Sequence, residues 1–201
     1  MGLLLSAAES WHSMLETHYR FLIGRSGTAK CIDLSFRADD FSHLSGIHYA
    51  NDVDFKLHRK EYWGTKLISA LMSERLDSSL IEKSRNWPQI KGRLNAILHM
   101  RTILESDFRI YGFSPNKLPF HSQIAAEYLL YSEEIGDGIF LFFDEDAGTY
   151  YCKSVFEKGN SDYRTNQSVW TVLTKTKYES GQEIVLFKHP NYKEVSGQIM
   201  T

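Results

Sequence analysis

The sequence predicts an α+β domain in which N-terminal helices pack on a C-terminal antiparallel β-sheet. Three observations carry this. Up to about residue 106 apolar residues recur at helical spacing, as in Ile90, Leu94, Ile97, Leu98 and Leu104. After Ser106 the pattern changes to short aliphatic and aromatic runs. Turn signals such as Gly136-Asp137-Gly138 and Ser180-Gly181 separate those runs. Helices first, then successive strands joined by turns, is the pattern of a single α+β layer pair.

In chain order, Ser6-Ala7-Ala8-Glu9 has the form of a capping box and opens a helix through Trp11, Met14, Leu15, Tyr19 and Leu22, ended by Gly24 and Gly27. Cys31, Ile32, Leu34 and Phe36 suggest a short strand. Asp39 then caps a turn or two holding Phe41, His43 and Leu44, closed by Gly46. Residues 51–60 read as a polar loop, and Tyr62, Trp63, Leu67, Ile68 and Leu71 as a helix over about 60–73. Asp77 caps a short helix with Leu80 and Ile81. Asn86-Trp87-Pro88-Gln89 begins the best-defined helix, with proline in its first turn.

Strands are expected at Phe108–Phe113 and Ala125–Tyr131. Ile139-Phe140-Leu141-Phe142-Phe143 is apolar on both parities, which places it centrally. Tyr150–Phe156 follows a turn at 144–148. After a polar loop at 157–168, a last hairpin joins Val169–Tyr178 to Glu183–Lys188. One domain spans residues 1–190, with a flexible tail at 191–201.

Composition bounds the function. The chain has 201 residues, enough for one well-filled core. Its 12 Phe, 11 Tyr and 4 Trp supply apolar surface that a disordered chain lacks. Net charge is −2, so a nucleic-acid site has to be a local basic patch. Cys31 and Cys152 are read as free thiols of a reducing compartment. No signal peptide and no membrane-spanning run is apparent, so the expected location is the cytoplasm, without membrane association.

Signatures of cofactor chemistry are missing: there is no phosphate-binding glycine loop, no Cys-x-x-Cys and no His-Glu-x-x-His. No cofactor and no metal is expected. His43, His48, Asp52 and Asp54 are near in sequence, but the five-residue histidine spacing does not place two imidazoles on one helical face.

His43 is the residue singled out for proton transfer, because an imidazole both takes and gives a proton near neutrality. Metal-free RNA cleavage also needs an acid for the leaving oxygen, and cations or amides to hold the phosphate as charge builds. Strand alternation at 150–156 sends either Lys153 or Ser154 to an open face. Tyr163 offers a ring for stacking or a hydroxyl proton. Arg164 offers a bidentate phosphate clamp, with Gln167 beside it. Arg37 either enters the same cleft or pairs with Asp39 or Asp40. Arg93 reads as a structural ion-pair donor, and Lys56-Leu57-His58-Arg59-Lys60 as a basic run on a solvated face.

Phe36 followed by Asp40-Phe41-Ser42-His43-Leu44-Ser45-Gly46 resembles the phenylalanine–histidine–leucine–glycine signature of a phage-associated nuclease family. It is the fourth phage group placed with barnase, EndoU, colicin E5/D and RelE. Further similar stretches are Ile81–Ser84, Ile90–Leu94 with Arg93, Tyr128-Leu129-Leu130, Cys152–Phe156, Asp162-Tyr163 with Gln167, and Glu183–Leu186. Together they cover roughly residues 15–188. The resemblance implies N-terminal helices with a curved antiparallel sheet, RNA cleavage without metal, and a home in a prophage or mobile element. It maps His43 onto the histidine motif, and Lys153, Ser154, Tyr163 and Gln167 onto the later ones. The expected partners are RNA and, for a toxin, an antitoxin or another phage protein. The competing reading is a non-catalytic nucleic-acid- or protein-binding module on the same scaffold. A nuclease reading requires His43, Lys153 and Arg164 to share one cleft.

Overall fold

The computed structural model describes residues 2–54 and 64–193. The basic run Lys56-Leu57-His58-Arg59-Lys60, with Tyr62 and Trp63, lies outside them, as does the expected tail from residue 194 onward. The helices are α1 (Leu3–Met14), α2 (Asp40–Leu44), α3 (Thr65–Met72), α4 (Trp87–Leu98) and α5 (Met100–Glu105). The strands are β1 (His18–Arg25), β2 (Thr28–Ser35), β3 (Arg109–Gly112), β4 (Tyr128–Ser132), β5 (Ile139–Asp146), β6 (Thr149–Glu157), β7 (Ser168–Glu179) and β8 (Gln182–Lys188).

The expected layering of helices on an antiparallel sheet is not what forms. The strands run in the order β1-β2-β6-β5-β4-β3-β7-β8, and β1 pairs again with β7, which closes a seven-stranded barrel with β8 attached to β7. The β2–β6 pairing is parallel, so the barrel is mixed. The reason lies in residues 18–35. Tyr19 and Leu22 continue the helical spacing of Trp11 and Met14, yet Tyr19, Phe21 and Ile23 also alternate, and the strand period wins: all three are fully buried. The first helix therefore stops at Met14, with Ser6 inside it. The β1–β2 hairpin supplies the two strands that complete the ring.

Three hairpins turn through two residues, at Ser26-Gly27, Ala147-Gly148 and Ser180-Gly181, each with positive φ at both positions. Such turns match the natural twist of paired strands. The long helix read from Asn86 onward breaks at His99 into α4 and α5.

β5 lies between β4 and β6, as its double-sided apolarity suggests. Ile139, Leu141 and Phe143 join the main core with Trp11, Phe21, Leu94 and Ile97. Phe140 and Phe142 face the other way into a second core with Phe113, Leu129 and Tyr131, covered by Phe156 and Tyr163. Trp11 is fully buried, meets Phe36 edge to face at 5.4 Å, and donates its indole N–H to the Arg37 carbonyl at 3.1 Å.

The β1–β7 seam is polar as well as apolar. Tyr19 donates to Glu105 at 3.0 Å, and Lys177 pairs with Glu105 at 3.0 Å and Glu179 at 3.3 Å. Arg101 pairs with Glu179 at 2.7 Å. These bonds tie α5 to both seam strands.

One irregularity matters for function. Along the β5–β6 ladder Phe142 pairs with Ser154 but Phe143 with Cys152, leaving Lys153 as an extra residue. This bulge breaks the alternation: Cys152 and Val155, three apart, both enter the main core.

Candidate active site

A cleft of about 780 Å³ opens where α2, α4, β6 and the irregular segment 121–125 meet. α4 contributes Pro88, Gln89, Gly92 and Arg93, which share one helical face while Ile90, Leu94 and Ile97 are buried in the core. The Phe41–Gly46 turn contributes His43, and Tyr49 follows. β6 contributes Lys153, Ser154, Phe156 and Glu157, the residues beyond it Lys158 and Tyr163, and the segment before β4 His121, Ser122 and Gln123.

Of the residues singled out in the sequence, His43, Lys153, Ser154 and Tyr163 line this cleft together. Both Lys153 and Ser154 reach it, rather than one of the two, because of the bulge. The other three lie elsewhere. Arg164 binds Asp162 through Nε and Nη2 at 2.9 and 2.8 Å, reaches Glu133 at 3.4 Å and covers the Tyr131 ring at 4.0 Å. Its fork is occupied by a carboxylate two residues away, so the expected convergence of His43, Lys153 and Arg164 on one cleft is not met: only the first two share it, and a different arginine stands with them. Gln167 clips the backbone of Ser114, accepting from its N–H at 2.8 Å and donating to its carbonyl at 3.1 Å. Arg37 pairs with Asp40 at 3.1 Å and Asp146 at 3.5 Å and lies over Tyr151 at 4.2 Å.

The cation inside the cleft is Arg93. Among the described residues it has no carboxylate partner, contrary to its reading as an ion-pair donor. Its Nη1 makes only long contacts, to the Leu44 carbonyl and Ser154 Oγ at 3.5 Å and to the Val155 carbonyl at 3.4 Å. Its guanidinium sits 5.6 Å from both the Tyr49 and Phe156 ring centres. Burial lowers its pKa, opposed by the Tyr49 and Tyr163 hydroxyls. The proton nevertheless stays, because guanidinium is so weak an acid. A partly desolvated cation without a counter-charge is a place for an anion.

A stack of rings leads from it to His43. The His43 and His48 rings lie 5.4 Å apart and 4° from parallel, and His48 lies 4.0 Å from Tyr49. Burial first, and then the neighbouring His43, hold His48 below the ordinary imidazole range. Lys153 donates to the Tyr151 hydroxyl at 3.2 Å, and its nearest carboxylate, Asp144, is 3.9 Å away. Tyr163 is wedged among Phe120, Phe140, Phe142 and Phe156, at 5.1, 5.4, 5.3 and 5.4 Å, which fixes its ring.

The sequence reading missed His121 and the unpaired state of Arg93. His121 sits in an irregular segment without periodicity, so no pattern marks it. Arg93 is marked by its place on the polar side of α4 beside Gly92 and by the family-like stretch Ile90–Leu94, neither of which tells that it is unpaired.

The family model for phage-Barnase-EndoU-ColicinE5/D-RelE like nuclease 4 matches residues 3–189. The chain belongs to this family. No curated protein and no solved structure matches it. In this phage-associated nuclease the signature residues have separate physical tasks. Phe36, Phe41 and Leu44 are core, and His43 enters the cleft. Gly46, at φ +70°, is the floor on which Arg93 rests: a Cβ there would lie 2.6 Å from Arg93 Cδ. Among the described residues no group of three or more His, Cys, Asp or Glu side chains is placed to hold a metal ion. Asp52 instead accepts from Ser84 Oγ and the Arg85 amide, at 2.6 and 2.9 Å. No described helix is long and apolar enough to cross a membrane.

Proposed function

We propose that this nuclease is a metal-independent endoribonuclease that cuts RNA by attack of the 2′-hydroxyl on the adjacent phosphorus. The observation that carries the reading is Arg93, a half-buried guanidinium without a counter-charge in the same cleft as His43. In this scheme the scissile phosphate sits at Arg93, backed by Lys153. His43 accepts the 2′-hydroxyl proton as the new P–O bond forms. The P–O5′ bond breaks, and the leaving oxygen takes a proton from His121, which lines the same cleft. The products are a 2′,3′-cyclic phosphate and a free 5′-hydroxyl. Arg93 acts by stabilising the charge that builds on the phosphoryl oxygens in a partly dry site. Ser154 Oγ holds Arg93, and Tyr163 forms a fixed wall.

Incubation of the protein with labelled RNA in excess EDTA tests this. Cleavage to 2′,3′-cyclic phosphate ends, lost in His43→Ala and Arg93→Ala and reduced in His121→Ala, is expected. A folded wild-type protein that leaves every RNA intact overturns the scheme in favour of a binding module on the same scaffold.

A further inference from the structure

We propose that the cleft binds at least three consecutive phosphates of a single RNA strand, with Lys158 as a phosphate site on the far side of Arg93 from Lys153. This rests on the cleft being the nuclease site.

Three cations stand in a row along β6. Arg93 Nη1 touches β6 at Ser154 and Val155. Lys153 precedes that point and Lys158 follows it, and both line the same cleft. At about 3.3 Å per residue, less the bulge, the two lysines are about 15 Å apart along the strand. A stacked nucleic-acid strand rises about 3.4 Å per nucleotide, so that span exceeds one phosphate step and accommodates several. A mononucleotide occupies one of these sites.

The charge state of the three cations supports the same conclusion. Several cations elsewhere are engaged at short range, Arg20 with Asp33 at 2.7 Å, Lys30 with Glu127 at 2.6 Å and Arg164 with Asp162 at 2.8 Å, although exposed ones such as Lys66 and Arg109 are not among the described ion pairs. Among the described residues Lys158 has no carboxylate within ion-pair distance, Arg93 has none, and Lys153 has only Asp144 at 3.9 Å. The carboxylate among the cleft-lining residues, Glu157, accepts a short hydrogen bond from the neutral Asn95 amide and keeps its charge. A chain of net charge −2 thus gathers three cations along one wall, two of them without a carboxylate in ion-pair distance among the described residues. Lys158 reaches this row because β6 ends at Glu157, and its amide is anchored to the Gly138 carbonyl at 2.7 Å. Phosphate contacts of this kind set register and affinity and carry no sequence information.

The test is binding of fluorescent single-stranded oligoribonucleotides to the His43→Ala protein across salt concentrations. Each cation that neutralises a phosphate contributes about 0.7 to the slope of log affinity against log salt for single strands. Affinity is expected to rise from a dinucleotide to a hexanucleotide. The slope with the hexanucleotide is expected to be about 2, falling by about 0.7 in Lys158→Gln and in Lys153→Gln. A Lys158→Gln slope equal to that of the parent, or a dinucleotide bound as tightly as the hexanucleotide, overturns the proposal. The two readings fail separately. Length-dependent binding without cleavage by the wild type removes the reaction scheme and keeps this site. Cleavage with no effect of Lys158 does the reverse.

Discussion

Replacing Gly46 by alanine tests whether the floor beneath Arg93 is as tight as the structure shows. Two costs add. At φ +70° an L side chain is strained by about 1–2 kcal/mol. The new Cβ also lies 2.6 Å from Arg93 Cδ and 3.1 Å from Tyr49 Cδ2, against 3.4 Å for ordinary contact. Arg93 must retreat by roughly 0.8 Å, the difference of those values, and crowding of this kind costs about 1–3 kcal/mol. Gly27→Ala isolates the first cost, since Gly27 has φ +80° and nothing lies within 4 Å of where its Cβ would stand. Denaturant unfolding should show Gly27→Ala losing about 1–2 kcal/mol and Gly46→Ala about 2–5 kcal/mol. RNA cleavage should be unchanged in Gly27→Ala. In Gly46→Ala it should fall about 100-fold, the usual consequence of an ångström-scale misplacement in an active site. Equal losses of stability in the two variants, with activity intact in both, would refute the close-approach argument.

Two further outcomes are expected. His48 should titrate below the ordinary imidazole range by NMR, because burial and the adjacent His43 disfavour its charged form, and His43→Ala should move it upward. The unfolded chain then binds that proton more readily than the folded one, so this contribution to stability is present above about pH 6.5 and is lost as pH falls. A thiol reagent should modify Cys31 in the native protein and reach Cys152 only after denaturation, since Cys152 is buried and burial raises its pKa; rapid labelling of both in the native state would contradict its place on the core face of β6.

The sequence shows the second half of the fold better than the first, and the reason is the range of the information. The double-sided apolarity of Ile139–Phe143 and the turn at Ser180-Gly181 are local, and they identify β5 and the last hairpin. β1 is also local, but its Tyr19 and Leu22 satisfy the helical period begun by Trp11 while Tyr19, Phe21 and Ile23 satisfy the strand period. Only the partners Lys177 and Thr174 across the seam, over 150 residues later, decide between them. The parallel β2–β6 pairing rests on two residue pairs and has no sequence mark.

The site divides in the same way. His43, Lys153, Ser154 and Tyr163 are legible by residue type and order. Which of Lys153 and Ser154 faces outward is not, since the bulge removes the alternation on which that choice depends. Arg164 and Arg93 look alike on paper. The difference is that Asp162 sits beside Arg164, whereas the groups around Arg93 are carbonyls, a hydroxyl and two rings.

Closure of the ring also sets an order of events during synthesis. β1 is made well before its second neighbour, β7, whose paired residues run from Thr171 to Tyr178. Until that segment leaves the ribosome, β1 has one bonded edge and one open edge, and the Glu105 and Glu179 anchors of the seam have no common frame. Late closure of distant pairs is slow because the loop entropy is lost before the contacts form. The cleft wall on β6, held to β1 through β2, thus reaches its final setting only when β7 is free to pair.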